Sequence, residues 1–498
     1  MKYVIGIDLG TSSVKALLVD QEGSIRGEAS ESYPLIQLKS GYSEQDPELW
    51  VTQTAKALNR LVSETKVPRE DIGGISFSGQ MHGLVLLDQE HRVLRHAILW
   101  NDTRTTKQCR EIEQKLGENL LKYAKNPALE GFTLPKLLWV RENEPEIYSQ
   151  AAVFLLPKDY LRYRLTGRIS MEYSDAAGTL MLDVSAKRFS PEILEAFDIP
   201  QQLCPELTGS DEMVGTLLPE MTDITGLGEH VQVFAGGADN ACGAIGAGIL
   251  RPGETLCSIG TSGVILSYEE NPEADYQGKL HFFNHGKPGA FYAMGVTLAA
   301  GNSLTWFKDT FAEGLSFDEL LRNLDQIPAG AGGLMFTPYL SGERTPHADA
   351  VIRGSFIGMD AGHSRDHFVR AVVEGITFSL AESIRILRDS GQRIESIISI
   401  GGGARNETWL QIQADIFNTE IVRLESEQGP ALGAAMLAAF GLKWYESLED
   451  CAAAFIRHSR TYKPDSERVQ VYADLFEIYQ RVYADTRQLN NSLESYRT

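Results

Sequence analysis

Two short loops, half the chain apart, carry the same punctuation: Gly10-Thr11-Ser12-Ser13-Val14 and Gly260-Thr261-Ser262-Gly263-Val264. Each lies between β-branched apolar runs. Val4, Ile5 and Ile7 precede the first loop and Val14, Ala16, Leu17, Leu18 and Val19 follow it; Thr255, Leu256, Cys257 and Ile259 precede the second, with Val264, Ile265 and Leu266 after it. The pattern predicts two strands joined by a small polar turn in each place. Glycine lets a ligand approach the backbone, and hydroxyls with freed N–H groups form a concavity suited to phosphate oxygens. One such turn is a common object. Two at corresponding places predict duplicated domains facing a shared polyphosphate.

Size and charge agree with that plan. A chain of 498 residues exceeds one hydrophobic core, and the expected division is residues 1–245 and 246–498, with a hinge near Gly243 to Gly248. The 46 Lys and Arg against 67 Asp and Glu leave a formal net charge of −21, which argues against nucleic acid or an anionic membrane as partner. Five scattered cysteines (Cys109, Cys204, Cys242, Cys257, Cys451) contain no C-x-x-C pair, so neither a disulfide framework nor a zinc site is indicated. Asp8 interrupts the N-terminal apolar run before a signal-peptide core could form, and no apolar run reaches the roughly 18 residues of a spanning helix. A reducing cytoplasm is the expected location.

Local signals place the remaining elements. Asp20-Gln21-Glu22-Gly23 is a turn into a third strand, and Asp46-Pro47-Glu48 starts a helix expected over 47–64, with Trp50, Leu58, Leu61 and Val62 near one face. A buried strand from Ile72 to Phe77 ends in Ser78-Gly79-Gln80-Met81-His82-Gly83, and a further strand spans Leu84 to Leu87. Residues 108–225 read as mostly helical. The strand Val231 to Phe234 enters Ala235-Gly236-Gly237-Ala238-Asp239-Asn240 and then a tightly packed helix. Ser364 caps a long helix to about Asp389, the strand Ile394 to Ile400 enters Gly401-Gly402-Gly403, and another helix begins near Glu407. A closing helix, expected over Ser466 to Gln488, carries Val469, Tyr472, Phe476, Tyr479 and Tyr483 as a packing stripe.

These segments together resemble a known family. Ile5-Gly6-Ile7-Asp8-Leu9-Gly10-Thr11-Ser12, Gly236-Gly237-Ala238-Asp239-Asn240, Gly260-Thr261-Ser262-Gly263 and Gly401-Gly402-Gly403 are similar to the motifs of the FGGY carbohydrate kinases. Phe132-Thr133-Leu134-Pro135-Lys136-Leu137-Leu138-Trp139 and the stretch from Gly354 through Glu374 match that family's signatures, and the likeness runs from residue 3 to about 440. Gln80 to Gly83, Trp100-Asn101-Asp102, Leu156 to Tyr160 and Ser174 to Thr179 most resemble the branch that phosphorylates D-xylulose. The resemblance implies an α/β fold of two actin/ribonuclease-H-like domains closing on ATP, Mg²⁺ and an open-chain pentulose. A small sugar and ATP are then the expected partners, and a homodimer is compatible with them.

Phosphoryl transfer to a sugar hydroxyl needs a carboxylate to take the proton, a metal to neutralise phosphate charge, and donors around the transferred group. Asp239, after two glycines and a small alanine at a strand end, is the expected base, and Asn240 can orient the same hydroxyl. Spacing alone fits an Asx turn capping the next helix equally well; the resemblance favours catalysis. Asp8 is suited to hold Mg²⁺ directly or through water. Asp8 and Asp239 are expected to face one another across the cleft between the domains. Gly10, Thr11, Ser12 and Ser13 should serve the β and γ phosphates, with Lys15 offsetting charge unless it is merely solvated, and Gly260 and Thr261 should meet them from the other domain. By resemblance, Gly301, Thr305, Gly402 and Asn406 hold the nucleotide.

The sugar pocket should draw on Met81, His82, Trp100, Asn101, Asp239 and Asn240, a neutral polar set with an apolar wall. A His at that strand end also reads as a structural core residue. No arginine cluster stands out for an anionic acceptor, which disfavours gluconate. Glu343-Arg344 forms a conspicuous polar loop to which the sequence gives no role. The alternatives are a related kinase acting on L-ribulose, gluconate, a deoxypentulose or glycerol, and a nucleotide-driven ATPase like actin or the heat-shock proteins, or a sugar-responsive regulator. The last class lacks any need for Gln80-Met81-His82-Gly83.

Overall fold

The two Gly-Thr-Ser loops cap equivalent hairpins in two seven-stranded sheets. In the computed structural model, which describes residues 1–497, the first sheet runs Ile25–Ser32, Ser13–Asp20, Tyr3–Leu9, Ile72–Gly79, Gln232–Phe234. The second runs Phe291–Thr297, Gly263–Glu269, Glu254–Ile259, Ser396–Gly401, Glu420–Leu424. In both, the first three strands are antiparallel and the next two join in parallel. Each sheet then adds an antiparallel edge, Met213–Thr216 in the first and His458–Tyr462 in the second. The duplication read from the loops is therefore a duplication of topology.

Helices cover the sheets as the local signals require. Asp46 Oδ1 accepts the Glu48 N–H at 3.0 Å, Pro47 occupies the first turn, and the helix Pro47–Thr65 buries Trp50, Leu58, Leu61 and Val62 against the first sheet. On the opposite face, the alanine-rich helix Pro430–Gly441 comes from the second half of the chain. Its Ala431, Ala434, Ala435 and Ala438 share a core with Val4, Leu17 and Val19 of the first sheet and with Cys242 and Ile245 of the helix Asp239–Ala247. The approach is close: a Cβ at Gly433 would lie 1.9 Å from the Cys242 carbonyl oxygen.

The region from Thr106 to Thr225 is largely short helices, interleaved with small ladders such as Val85–Leu87 with Val153–Leu155. The long helix Arg365–Asp389 begins after Ser364, whose N–H donates to His367 Nδ1 at 3.2 Å. The closing helix Ser466–Leu493 extends beyond the expected Gln488 and buries Tyr472 and Tyr479 beside Phe378. Among the described residues, no helix is long and apolar enough to cross a membrane.

Candidate active site

Both polar loops are built alike. Gly10 N–H donates to Ser13 O at 3.0 Å, and Gly260 N–H donates to Ser262 O at 3.0 Å. Among the described residues, the N–H groups of Thr11, Ser12, Thr261 and Ser262 have no protein acceptor, so each loop offers two free backbone donors. That is the arrangement a phosphate oxygen needs. The first loop is held from outside by side chains: Tyr33 Oη donates to Gly10 O at 2.5 Å, Gln45 Nε2 to Thr11 O at 2.7 Å, and Trp100 Nε1 to Thr11 Oγ1 at 2.9 Å. Lys15 is engaged elsewhere, with Glu28 at 3.1 Å and Gln428 Oε1 at 2.6 Å.

Asp8 and Asp239 come together, but not across the two domains. The short strand Gly237–Ala238 pairs in parallel with Ser78 and Gly79, and Asp8 pairs with Ser78 from the other side. The carboxylates therefore flank one strand end of the first sheet, side by side on one wall instead of facing one another across the cleft between the domains as expected. Parallel pairing on both sides of Ile72–Gly79 is the physical reason. Burial, and next the charge of Asp8, pushes the Asp239 carboxyl up to about 7. Asp8 is itself raised by burial, against the opposing pull of the Ser78 hydroxyl and the Lys15 ammonium. Asp239 Oδ1 accepts from Asn240 N at 2.7 Å and Asn240 Nδ2 at 3.1 Å. The local turn contact is thus present, and it occupies only Oδ1.

Near this pair lies the set expected to read an acceptor. His82 has φ +70° at the strand end, and its Nδ1 sits 2.7 Å from Gly178 O. A carbonyl can only accept, so Nδ1 carries the proton and Nε2 remains an acceptor. Burial pushes the ring down to about 3, so it stays neutral. Phe132 packs on it with centroids 4.6 Å apart, and Phe283 and His281 of the second half complete the aromatic wall. Asn240 Nδ2 also approaches Met81 Sδ at 3.7 Å, and Asn101 Oδ1 is buried without a partner. Trp100 is committed to Thr11 and is 45% exposed.

The second loop is braced by backbone. Gly301 N–H donates to Gly260 O at 2.8 Å and Asn302 N–H to Thr261 O at 3.1 Å, which seats the start of the helix Gly301–Phe311 on the loop. Gly401 pairs with Ile259 and leads into the turn Gly402–Ala404 beside the same loop. A cavity of about 280 Å³ opens between the halves, lined by Gly243, Ser258, Gly401, Glu427 and Gly429 among others. Thr305 Oγ1 is spent on Gly301 O at 3.1 Å, and Asn406 Oδ1 caps the helix Glu407–Phe417 through Trp409 N at 2.9 Å. Among the described residues no three His, Cys, Asp or Glu side chains cluster to hold a metal. Two adjacent carboxylates with raised affinity for protons do suit a Mg²⁺ that takes most of its ligands from phosphates and water.

Sequence reasoning missed Tyr33 and Gln45, which no local signal marks, and left the Glu343-Arg344 loop without a role. Glu343 is buried and accepts from Thr297 Oγ1, Leu298 N and Ser379 Oγ, which fixes the end of the strand Phe291–Thr297. Arg344 is exposed within the cleft, and its positive charge is felt at His82 and His281.

Known proteins match this architecture over the whole chain. The model of the N-terminal domain of FGGY carbohydrate kinases matches residues 3–246, and that of the C-terminal domain matches residues 255–442. The xylulose kinase of Bacillus subtilis is 62% identical over 497 residues, covering 100% of both chains. A crystal structure of a xyloylose kinase from Brucella ovis superposes with a TM-score of 0.91 at 36% identity, over 98% of this chain and 100% of that one. A gluconate kinase from Lactobacillus acidophilus superposes with a TM-score of 0.92 at 27% identity, over 97% and 98% of the two chains, so the fold alone does not select the acceptor. The chain belongs to the FGGY family of carbohydrate kinases.

Proposed function

We propose that this protein transfers the γ-phosphoryl group of ATP to D-xylulose, giving D-xylulose 5-phosphate and ADP. The observation that carries the mechanism is Asp239: a carboxylate raised to about 7, with one oxygen held by Asn240 and the other without a protein partner, while Asn240 itself reaches Met81, the neighbour of His82. Its free oxygen takes the proton of the sugar hydroxyl as that oxygen bonds to the γ-phosphorus and the bond to ADP breaks. His82 Nε2 accepts from a second hydroxyl, and Asn101 Oδ1 offers another acceptor. The free N–H groups of the two loops receive the phosphate oxygens from opposite domains, so domain closure assembles the site. Asp8, with Asp239 beside it, would hold Mg²⁺, which when bound neutralises charge on the β and γ oxygens.

The choice of D-xylulose rests on the 62% identity with a curated xylulose kinase. One observation favours an anionic acceptor instead: Arg344 brings a guanidinium into the cleft. An ADP-release assay over D-xylulose, L-ribulose, gluconate and glycerol decides. D-xylulose is expected to give the highest kcat/KM, and gluconate ahead of it would replace this reading.

The domain boundary is proposed near residue 246, at the end of the helix Asp239–Ala247, which packs closely on the helix Pro430–Gly441. The cytoplasm is the proposed location, consistent with five free cysteines. A homodimer is the proposed assembly, tested by mass in solution.

A further inference from the structure

The stretch Ser174-Asp175-Ala176-Ala177-Gly178 carries no role in the chemistry above, yet it touches both sides of it. Ala238, the residue before Asp239, donates its N–H to Ser174 Oγ at 2.9 Å. Ser174 Oγ in turn donates to Glu172 Oε2 at 2.6 Å, and Glu172 also receives Ser174 N–H at 2.8 Å and Ser210 Oγ at 2.6 Å. Four residues further on, Gly178 O receives the ring proton of His82. The short helix Tyr173–Ala177 thus separates the attachment point of Asp239 from that of His82.

This bracket is anchored rather than floating. Lys158 lies between Asp159 at 2.8 Å and Asp175 at 3.2 Å, and Arg162 reaches Asp159 at 2.9 Å. All four side chains are fully buried, and Arg162 also donates to Ala235 O at 2.9 Å, at the start of the loop that bears Asp239. Asp175 has Lys158 as its ion-pair partner and its oxygens make no hydrogen bond, so displacing either side chain strands a charge in a poor dielectric. Rigidity of this kind is what a reacting pair requires.

Resting on the assignment of Asp239 as base and His82 as acceptor reader, we propose that Ser174, backed by Glu172, is a positioning residue that sets the distance between the Asp239 carboxylate and the acceptor held by His82. Removing its hydroxyl leaves Ala238 N–H without a partner and lets the strand end drift from Asp8 and from the sugar. A misplacement of about 1 Å costs roughly a hundredfold in rate.

The test uses the full-length protein with D-xylulose and ATP. Ser174→Ala is expected to lower kcat by about ten- to a hundredfold with a much smaller change in KM for sugar. ATP binding by calorimetry should keep its full stoichiometry, which places the loss in turnover and not in the folded fraction. Ser190→Ala removes a buried hydroxyl that caps the helix Pro191–Ala196 elsewhere in the same half, and serves as the control for losing a buried hydroxyl away from the site. Its kcat should stay near that of the wild-type protein. An unchanged kcat in Ser174→Ala, or the same fall in both variants, overturns the proposal. Hydrogen exchange of the wild-type protein adds a measurement that needs no variant: Ala238 N–H should be strongly protected, and exchange at the rate of an open loop overturns the proposal equally. Asp239→Asn run beside these separates the two ideas. Its full activity would remove the base assignment itself, whereas its inactivity with a silent Ser174→Ala removes only the positioning role.

Discussion

The two Gly-Thr-Ser loops share a backbone and differ in what holds it. The loop Gly10 to Ser13 is braced by side chains from four separate places, Tyr33, Gln45, Gln80 and Trp100. The loop Gly260 to Gly263 is braced by main-chain donors at the start of one helix, Gly301 and Asn302. Side-chain braces tie the first loop to the acceptor side, since Gln80 adjoins Met81 and Trp100 adjoins Asn101. Backbone braces make the second loop an extension of a rigid element. The contrast supports the proposed division, in which chemistry and most acceptor recognition belong to the first half and nucleotide seating to the second.

The largest effect should come from the base. Asp239→Asn keeps the shape and the contact with Asn240 but cannot take a proton, so turnover should fall by about 10² to 10⁴ while ATP binding by calorimetry changes little. Equal loss of nucleotide affinity would erase the division between the halves. The wild-type profile carries the same signature. A base raised to about 7 is protonated below that pH, so kcat/KM should fall as pH drops through about 7. His82, pushed down to about 3, is neutral throughout and contributes nothing to that limb.

His82→Ala should act on the sugar alone. Gly178 O keeps Thr133 Oγ1 at 3.4 Å, whereas an acceptor hydroxyl is left without its partner, a loss typically of about 1–3 kcal/mol, so sugar KM should rise by roughly ten- to a hundredfold. Slow ATP hydrolysis without sugar should change far less. Joint collapse of both activities and of thermal stability would make His82 a core histidine. On the other side, a Cβ at Gly301 would lie 2.4 Å from Gly260 O, so Gly301→Ala forces the second loop off its brace. Overpacking of this kind costs about 1–3 kcal/mol, and the loss should appear in KM for ATP with KM for sugar nearly unchanged.

This asymmetry also explains what the sequence disclosed. Glycine at 301 and 401 is visible as punctuation because backbone contact excludes a side chain, and the strands around the loops announce themselves through β-branched runs. The helix from Pro47 was legible because Asp46 and Pro47 act within one turn of it. Tyr33 and Gln45 were not legible, since their contacts to Gly10 and Thr11 depend on how a third strand and a helix start return to the loop. The pairing of Asp239 beside Asp8 on one sheet was misread for the same reason: two residues at strand ends reveal nothing of which strand lies between them. Thr305 and Asn406 also carry local contacts, because a hydroxyl in a helix and an Asn before one are used by their own backbone.

The smallest expected effect tests the side-chain bracing directly. Tyr33→Phe removes one hydroxyl from Gly10 O and keeps the ring, while Gln45 and Trp100 still hold Thr11. A single neutral hydrogen bond contributes about 0.5–1.5 kcal/mol net, and Gly10 O retains the weaker approach of Gln80 Nε2 at 3.5 Å. Turnover should therefore fall by no more than about tenfold, and Gln45→Ala should cost more, because its buried amide serves Thr11 O, Trp50 Nε1 and Gln80 Nε2 together. The two losses should exceed their sum when combined, since each brace limits the motion the other leaves open. Strict additivity in the double variant would mean that the loop is held by its own turn, as the second loop is by its helix, and the contrast between the halves would vanish.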